Sequence, residues 1–251
     1  MLKIIDHGTV REIRLDRPPV NALNQALIDE LIETLNTAVD QCDAIVLSGK
    51  DGLFSAGLDV VSLLPLDFQG MSRFWRSFFK LLETVACSPI PVTAAITGHS
   101  PAGGAVIALM CDYRVMSKGK YFIGLNETRV GLVIPPSLHF AMSRLVGSGM
   151  SEQLLTSGTM VDPEEALRMG LVNKLESGFE QTIDAAIARS KELLSLPRQA
   201  MLGNRLHSRA SLMKEMSSHS DDENRSFVEA WFSDETQAAI NAIVDSLKKR
   251  K

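Results

Sequence analysis

One segment constrains this chain more than any other: Ala105-Val106-Ile107-Ala108-Leu109-Met110, preceded by Pro101-Ala102-Gly103-Gly104. A helix that is apolar on every side is a buried helix. The stretch before it, Pro91-Val92-Thr93-Ala94-Ala95-Ile96-Thr97-Gly98, is an apolar run of strand length and reads as a buried strand. A buried strand feeding a buried helix needs an α/β core. A chain of 251 residues is enough for one large α/β domain, or a domain with a helical appendage.

The first half of the chain repeats this character. Residues 2–15 read as two short strands around His7-Gly8, ended by Arg17-Pro18-Pro19. Leu27, Leu31, Leu35 and Val39 recur at helical spacing within residues 24–39. Residues 43–49 form another compact apolar run, a buried strand. Residues 62–86 read as helix, interrupted early by Pro65 and Gly70, and 113–116 and 121–125 as short strands. Beyond about Pro135 the pattern is helical throughout. Asp162-Pro163-Glu164-Glu165 is a helix start with Asp at the N-cap and Pro at N1. Residues 180–194 and 197–213 continue it, and 222–250 form one last amphipathic segment with a basic end that suits a helix C-terminus. No Ser/Gly-rich linker separates the halves, and no strict repeat is visible.

Composition excludes several classes of function. A net charge of −4 gives no general attraction to nucleic acid or to an acidic membrane. No segment approaches the ~18 consecutive apolar residues of a membrane span. Residues 1–7 carry neither a signal h-region nor an Arg-rich presequence. The expectation is a cytoplasmic protein, or a mitochondrial-matrix one if this is a mature eukaryotic form. Cys42, Cys87 and Cys111 are too scattered for a metal cluster or a disulfide framework and read as reduced thiols. The five histidines do not pair at metal-ligand spacing, so no metal is expected. His99 reads as a loop histidine facing solvent, and Phe74, Trp75, Phe78 and Phe79 as core or a subunit contact.

Three stretches could carry chemistry. In Phe54-Ser55-Ala56-Gly57-Leu58-Asp59, small residues let the backbone approach a ligand, and the N–H after Gly57 could donate to an oxygen; on spacing alone a ligand-free strand-to-helix turn is the better account. Gly98-His99-Ser100-Pro101-Ala102-Gly103-Gly104 opens the buried helix, whose first N–H groups suit an oxyanion or phosphate. It has neither Walker nor dinucleotide spacing, and close helix–strand packing would also explain its small residues. In Gly124-Leu125-Asn126-Glu127-Thr128, followed by Val130-Gly131-Leu132-Val133-Ile134-Pro135-Pro136, a carboxylate sits between apolar stretches and could shuttle a proton. The alternative is a helix start with Asn126 as cap and Glu127 favouring the dipole.

Together and in this order, these stretches resemble the crotonase (enoyl-CoA hydratase/isomerase) superfamily. The likeness runs from Pro19-Val20-Asn21-Ala22-Leu23 to Phe232-Ser233-Asp234-Glu235. It implies an α/β superhelix of ββα turns over residues 1–195, with a helical oligomerisation region at 196–251. It also implies an acyl-CoA thioester substrate, no cofactor beyond the CoA of the substrate, and a homotrimer or dimer of trimers. Carried over, the oxyanion-hole amides are those of Leu58 and Gly103. The substrate-binding set is Ala56, Gly57, Leu58, Asp59, Gly103, Gly104 and Asn126.

Ser100–Gly104, Cys111-Asp112-Tyr113-Arg114 and Tyr121–Thr128 look most like the mitochondrial-type Δ3,Δ2-enoyl-CoA (dodecenoyl-CoA) isomerases, in which the Glu at position 127 is the catalytic base. One departure from the hydratases matters. They carry a catalytic Glu three residues after the glycine at 103, and here that residue is Val106. Hydration in the family uses two carboxylates, whereas a 1,3-proton shift needs one. The resemblance therefore implies isomerisation of a 3-enoyl-CoA in β-oxidation of unsaturated fatty acids. The alternatives are a hydratase, thioesterase or decarboxylase of the same family, or a non-catalytic acyl-CoA-binding protein.

Overall fold

The computed structural model describes residues 1–248. β1 (Leu2–His7) and β2 (Val10–Leu15) form the expected antiparallel hairpin. α1 (Gln25–Ala38) starts where the Asn24 side chain accepts from the Leu27 amide, and its Leu27, Leu31 and Leu35 stripe is buried.

From there the chain repeats one pattern: a long strand, a short strand, then helix. The first turn is β3 (Ala44–Ser48), β4 (Gly52–Leu53), α2 (Val60–Leu63) and α3 (Phe68–Ala86). The second is β5 (Val92–Ile96), β6 (Gly98–Pro101) and α4 (Gly103–Met110). The third is β7 (Tyr113–Ser117), β8 (Ile123–Gly124) and the 3-10 turn η1 (Glu127–Val130), leading to α5 (Pro136–Val146). Then follow α6 (Ser148–Ser157), α7 (Pro163–Arg168), β9 (Lys174–Glu176), α8 (Phe179–Leu194), α9 (Arg198–Ser217), α10 (Asp221–Trp231) and α11 (Asp234–Lys248).

The long strands form a six-stranded sheet in the order β1-β2-β3-β5-β7-β9, parallel from β2 onward. The short strands stack as a second, parallel sheet, β4-β6-β8. Every residue of β3 and β5 is buried, which is why both read as unbroken apolar runs. α8 covers one face of the large sheet, packing Ile183, Ala186 and Ile187 on Val46, Ala95 and Val115. α4 is buried along its whole length, as its sequence requires. Its last carbonyls are met by buried arginines: Arg114 donates to the Ala108 and Cys111 carbonyls, and Arg209 to that of Met110. Asp112 anchors α9 by accepting from Arg205 at 2.8 and 2.9 Å.

Two sequence expectations need correcting. The second half is not helical throughout, because β9 pairs with β7, and the Asn173 side chain accepts from the Arg114 amide beside it. Three residues are too few to show a strand period. Residues 222–248 are not one helix either. The chain breaks at Phe232-Ser233, where the Ser233 hydroxyl accepts from the Thr236 amide and starts α11. Residues 249–251, part of the basic end, lie outside the described residues. No described helix is long and apolar enough to cross a membrane.

Candidate active site

The short sheet decides where chemistry can sit. β4, β6 and β8 are parallel, so the loops leaving their C-terminal ends emerge side by side. Leu58 follows β4, Gly103 follows β6 and Glu127 follows β8. All three line one small cavity, whose wall includes Trp75, Phe78, Val106, Leu138 and Phe227. Glu127 is the only titratable side chain in that wall among the described residues. A more open depression beside α6, lined by Glu152, Gln153 and Thr156, holds none of these residues.

The first loop is built on Asn21, which is buried at φ +48. Asparagine tolerates this left-handed backbone. Its side chain donates to the Leu15 and Phe54 carbonyls at 3.0 and 3.1 Å. Ser55 Oγ donates to the Asn21 carbonyl at 2.7 Å and accepts from the Gly57 amide at 3.1 Å. The Gly57 carbonyl accepts from the Leu23 amide, and the Asp59 amide donates to the Leu23 carbonyl. Between them the Leu58 N–H has no partner among the described residues. The Ala56 amide donates to the Val20 carbonyl, and the Asp59 carboxylate holds Arg17 at 2.6 Å and caps Ser62. These groups of Ala56 and Asp59 are thus engaged in shaping the loop.

The second loop lies against the first. A Cβ on Gly57, which has φ +82, would stand 3.1 Å from the Pro101 carbonyl oxygen and 3.3 Å from the Gly103 nitrogen. Ala102 adopts φ +47, ψ −123, a strained conformation for a residue with a Cβ. Its amide is pinned to the Gly124 carbonyl at 2.8 Å. Gly103 then opens α4 with its N–H unpaired among the described residues and no side-chain cap. Gly104 packs against Ser100 and Ser55.

The third element, η1, is tethered to α6 by two side chains. Thr128 Oγ1 donates to the Leu155 carbonyl at 2.7 Å, and Arg129 Nε to the Gly158 carbonyl at 2.8 Å. The Glu127 carbonyl accepts from the Leu132 amide at 3.0 Å. Asn126 stands at the N-cap position of η1 and Glu127 in its first turn, as the turn-start alternative expects, but the Asn126 side chain makes no capping bond. Glu127 is half-buried as a residue, yet its Oε2 is sealed from solvent with no hydrogen-bond partner among the described residues. Loss of hydration pushes its carboxyl up to about 7, against a small opposing pull from its own backbone N–H.

Sequence reading missed part of this wall. Trp75 and Phe78 are core residues as expected, but they also face the cavity, and Phe227 stacks on Trp75 with centroids 3.4 Å apart. Their meeting joins α3 to α10 across a distance no local pattern reveals. Nothing in the sequence marks Ala102 either, since a positive φ is signalled by glycine. His99 lies on β6 rather than in a loop and is half-buried, and its Nδ1 accepts from the Phe122 amide at 3.2 Å. No group of His, Cys, Asp and Glu among the described residues could hold a metal ion.

The family model described as enoyl-CoA hydratase/isomerase matches residues 6–250. The chain is 28% identical over 246 residues to human mitochondrial enoyl-CoA delta isomerase 1, covering 96% of this chain and 81% of that one. It is 32% identical over 189 residues to a probable enoyl-CoA hydratase of Mycobacterium avium, covering 74% and 73%. The crystal structure of human mitochondrial Δ3,Δ2-enoyl-CoA isomerase superimposes with a TM-score of 0.93 at 27% identity, over 100% of this chain and 99% of that one. This chain belongs to the enoyl-CoA hydratase/isomerase, or crotonase, family. It has the crotonase fold with two sheets and a C-terminal helical region, and membership implies an acyl-CoA substrate.

Proposed function

We propose that the protein is a Δ3,Δ2-enoyl-CoA isomerase that moves the double bond of a 3-cis- or 3-trans-enoyl-CoA to the 2-trans position with Glu127 as its only acid/base. The observation that carries this reading is the cavity wall: one carboxylate, with Val106 where a hydratase would present a second. The thioester oxygen accepts from the Leu58 and Gly103 amides, which lie on the wall and have no partner among the described residues. Glu127 takes a proton from C2. The electron pair of the broken C2–H bond delocalises into the carbonyl and across the C3–C4 double bond as a dienolate, held by the two donors. Loss of one comparable donor costs roughly 2.7–4 kcal/mol of barrier. The protonated Glu127 returns the proton to C4, leaving the double bond between C2 and C3. A carboxyl titrating near 7 is matched to both halves of the cycle, and such a group contributes ~10²–10⁴ in rate. The apolar wall excludes the water that hydration consumes. Ala56, Gly57, Asp59, Gly104 and Asn126 shape the binding loops around the thioester. Residues 196–251 serve assembly as a homotrimer or dimer of trimers.

The hydratase reading draws on the 32% identity to the mycobacterial relative. One experiment separates the two. Purified protein is given 3-cis- and 3-trans-enoyl-CoA and followed for conjugated product, then 2-trans-enoyl-CoA and followed for hydration, with Glu127→Gln in parallel. Isomerisation lost in the variant, with little hydration by the wild type, is the expected result. A variant that keeps most of the activity removes the single-base mechanism, and rapid hydration by the wild type removes the assignment to isomerase.

A further inference from the structure

Glu127 sits on a four-residue turn that could not hold a carboxylate in place unaided, and α11 supplies one of its supports. Thr236 is fully buried on the first turn of α11, and its hydroxyl donates to the Gly131 carbonyl at 2.9 Å, directly after η1. Ser233 Oγ donates to that hydroxyl at 3.0 Å and accepts from the Thr236 amide. The contact is close: a Cβ on Gly131, which has φ +76, would fall 2.8 Å from Thr236 Oγ1. The Gly131 amide donates back to the Thr128 carbonyl, and the Leu132 amide to the Glu127 carbonyl. A hydroxyl on α11 is therefore joined through two residues of backbone to the turn that carries the carboxylate. The opposite side of η1 is held by α6 through Thr128 and Arg129.

We propose that Thr236, with Ser233 behind it, is a positioning residue for Glu127, and that the first turn of α11 sets the geometry of the base. This rests on Glu127 being the base. It gives Phe232-Ser233-Asp234-Glu235, which the proton transfer itself does not use, a role in catalysis. Among the described residues the cavity wall offers no charged partner to Glu127, and Arg129, Glu152 on α6, and Asp234 and Glu235 on α11 are exposed. The fixed position of η1 therefore decides how far the carboxyl is from both substrate and water.

The test compares Thr236→Val, which keeps the shape and removes the hydroxyl, with Thr236→Ser, which restores it. Displacing a reacting group by about 1 Å loses ~10²-fold in rate. Thr236→Val is expected to lose 10- to 100-fold in kcat with KM changed by less than about threefold. Its acid limb in the pH–rate profile should move to lower pH as water reaches Glu127, and Thr236→Ser should stay near wild type. Far-UV circular dichroism and oligomeric state are measured alongside. A folded Thr236→Val with wild-type kcat and an unmoved acid limb overturns the inference, and so does a Thr236→Ser as impaired as the valine variant. If Thr236→Val does not fold, Ser233→Ala carries the same test: a fall in kcat with the acid limb moved to lower pH is expected, and a wild-type profile overturns the inference. Activity retained in Glu127→Gln would instead remove the reading on which the inference rests.

Discussion

Replacing Glu127 with glutamine is expected to abolish turnover and, above neutral pH, to stabilise the fold. Burial raises the carboxyl from its ordinary 4.5 to about 7, which means that the folded state resists ionising this group. Between those two values the unfolded chain has released its proton while the folded chain keeps it. Stability therefore falls as pH rises across this window, by about 1.4 kcal/mol per pH unit. Over the whole window the loss is about 3 kcal/mol. Glutamine has the same shape as the protonated acid and does not titrate. Wild type and Glu127→Gln should be nearly equal in stability at pH 4.5 and diverge as pH rises. By pH 8 the variant should be ahead by up to about 3 kcal/mol, or roughly 6–12 °C in Tm for a chain of this size. Urea unfolding at half-unit intervals from pH 4.5 to 8, at one protein concentration, reads the difference directly. A wild-type-minus-variant difference that stays flat with pH, or has the opposite sign, would refute the claim that an uncompensated buried carboxylate is held in this cavity.

Further outcomes follow from other parts of the site. Gly57→Ala combines an unfavourable φ with contact on the Pro101 carbonyl, so the Leu58 amide should shift; steady-state kinetics should show kcat down by about 10²–10³. Val106→Glu places a second carboxyl in the same wall. The two then titrate as a pair, and the acid limb of isomerisation should move to higher pH. Arg209→Met leaves Asp112 short of a partner and the Ala86 and Met110 carbonyls without their donor; denaturant titration should show a loss of about 3–5 kcal/mol.

The sequence made the framework readable where burial is complete. α4 could be placed because its apolar run leaves no side for solvent, and β3 and β5 because both faces of each are covered. β9 was not readable, since three residues on the edge of β7 carry no period. The break between α10 and α11 was hidden because Ser233 begins a helix with an ordinary polar residue inside a continuous amphipathic pattern. At the site, each of the three loops was ambiguous alone because the information lies in the stacking of β4, β6 and β8, which sets side by side three residues far apart in the chain. The raised pKa of Glu127 was legible only as a carboxylate between apolar stretches. Its cause includes Trp75 and Phe227, whose approach depends on how α10 folds back onto α3.

The single-base claim is tested most directly by following the hydrogen that Glu127 carries. A 3-enoyl-CoA labelled with deuterium at both C2 positions is converted in ordinary water, and the product is read by NMR and mass spectrometry before it can re-enter the site. If one carboxylate in a water-excluding cavity takes the C2 hydrogen and returns it, a substantial fraction of the product carries that deuterium at C4. A product whose new C4 hydrogen comes wholly from solvent, from the first turnovers onward, would contradict the account.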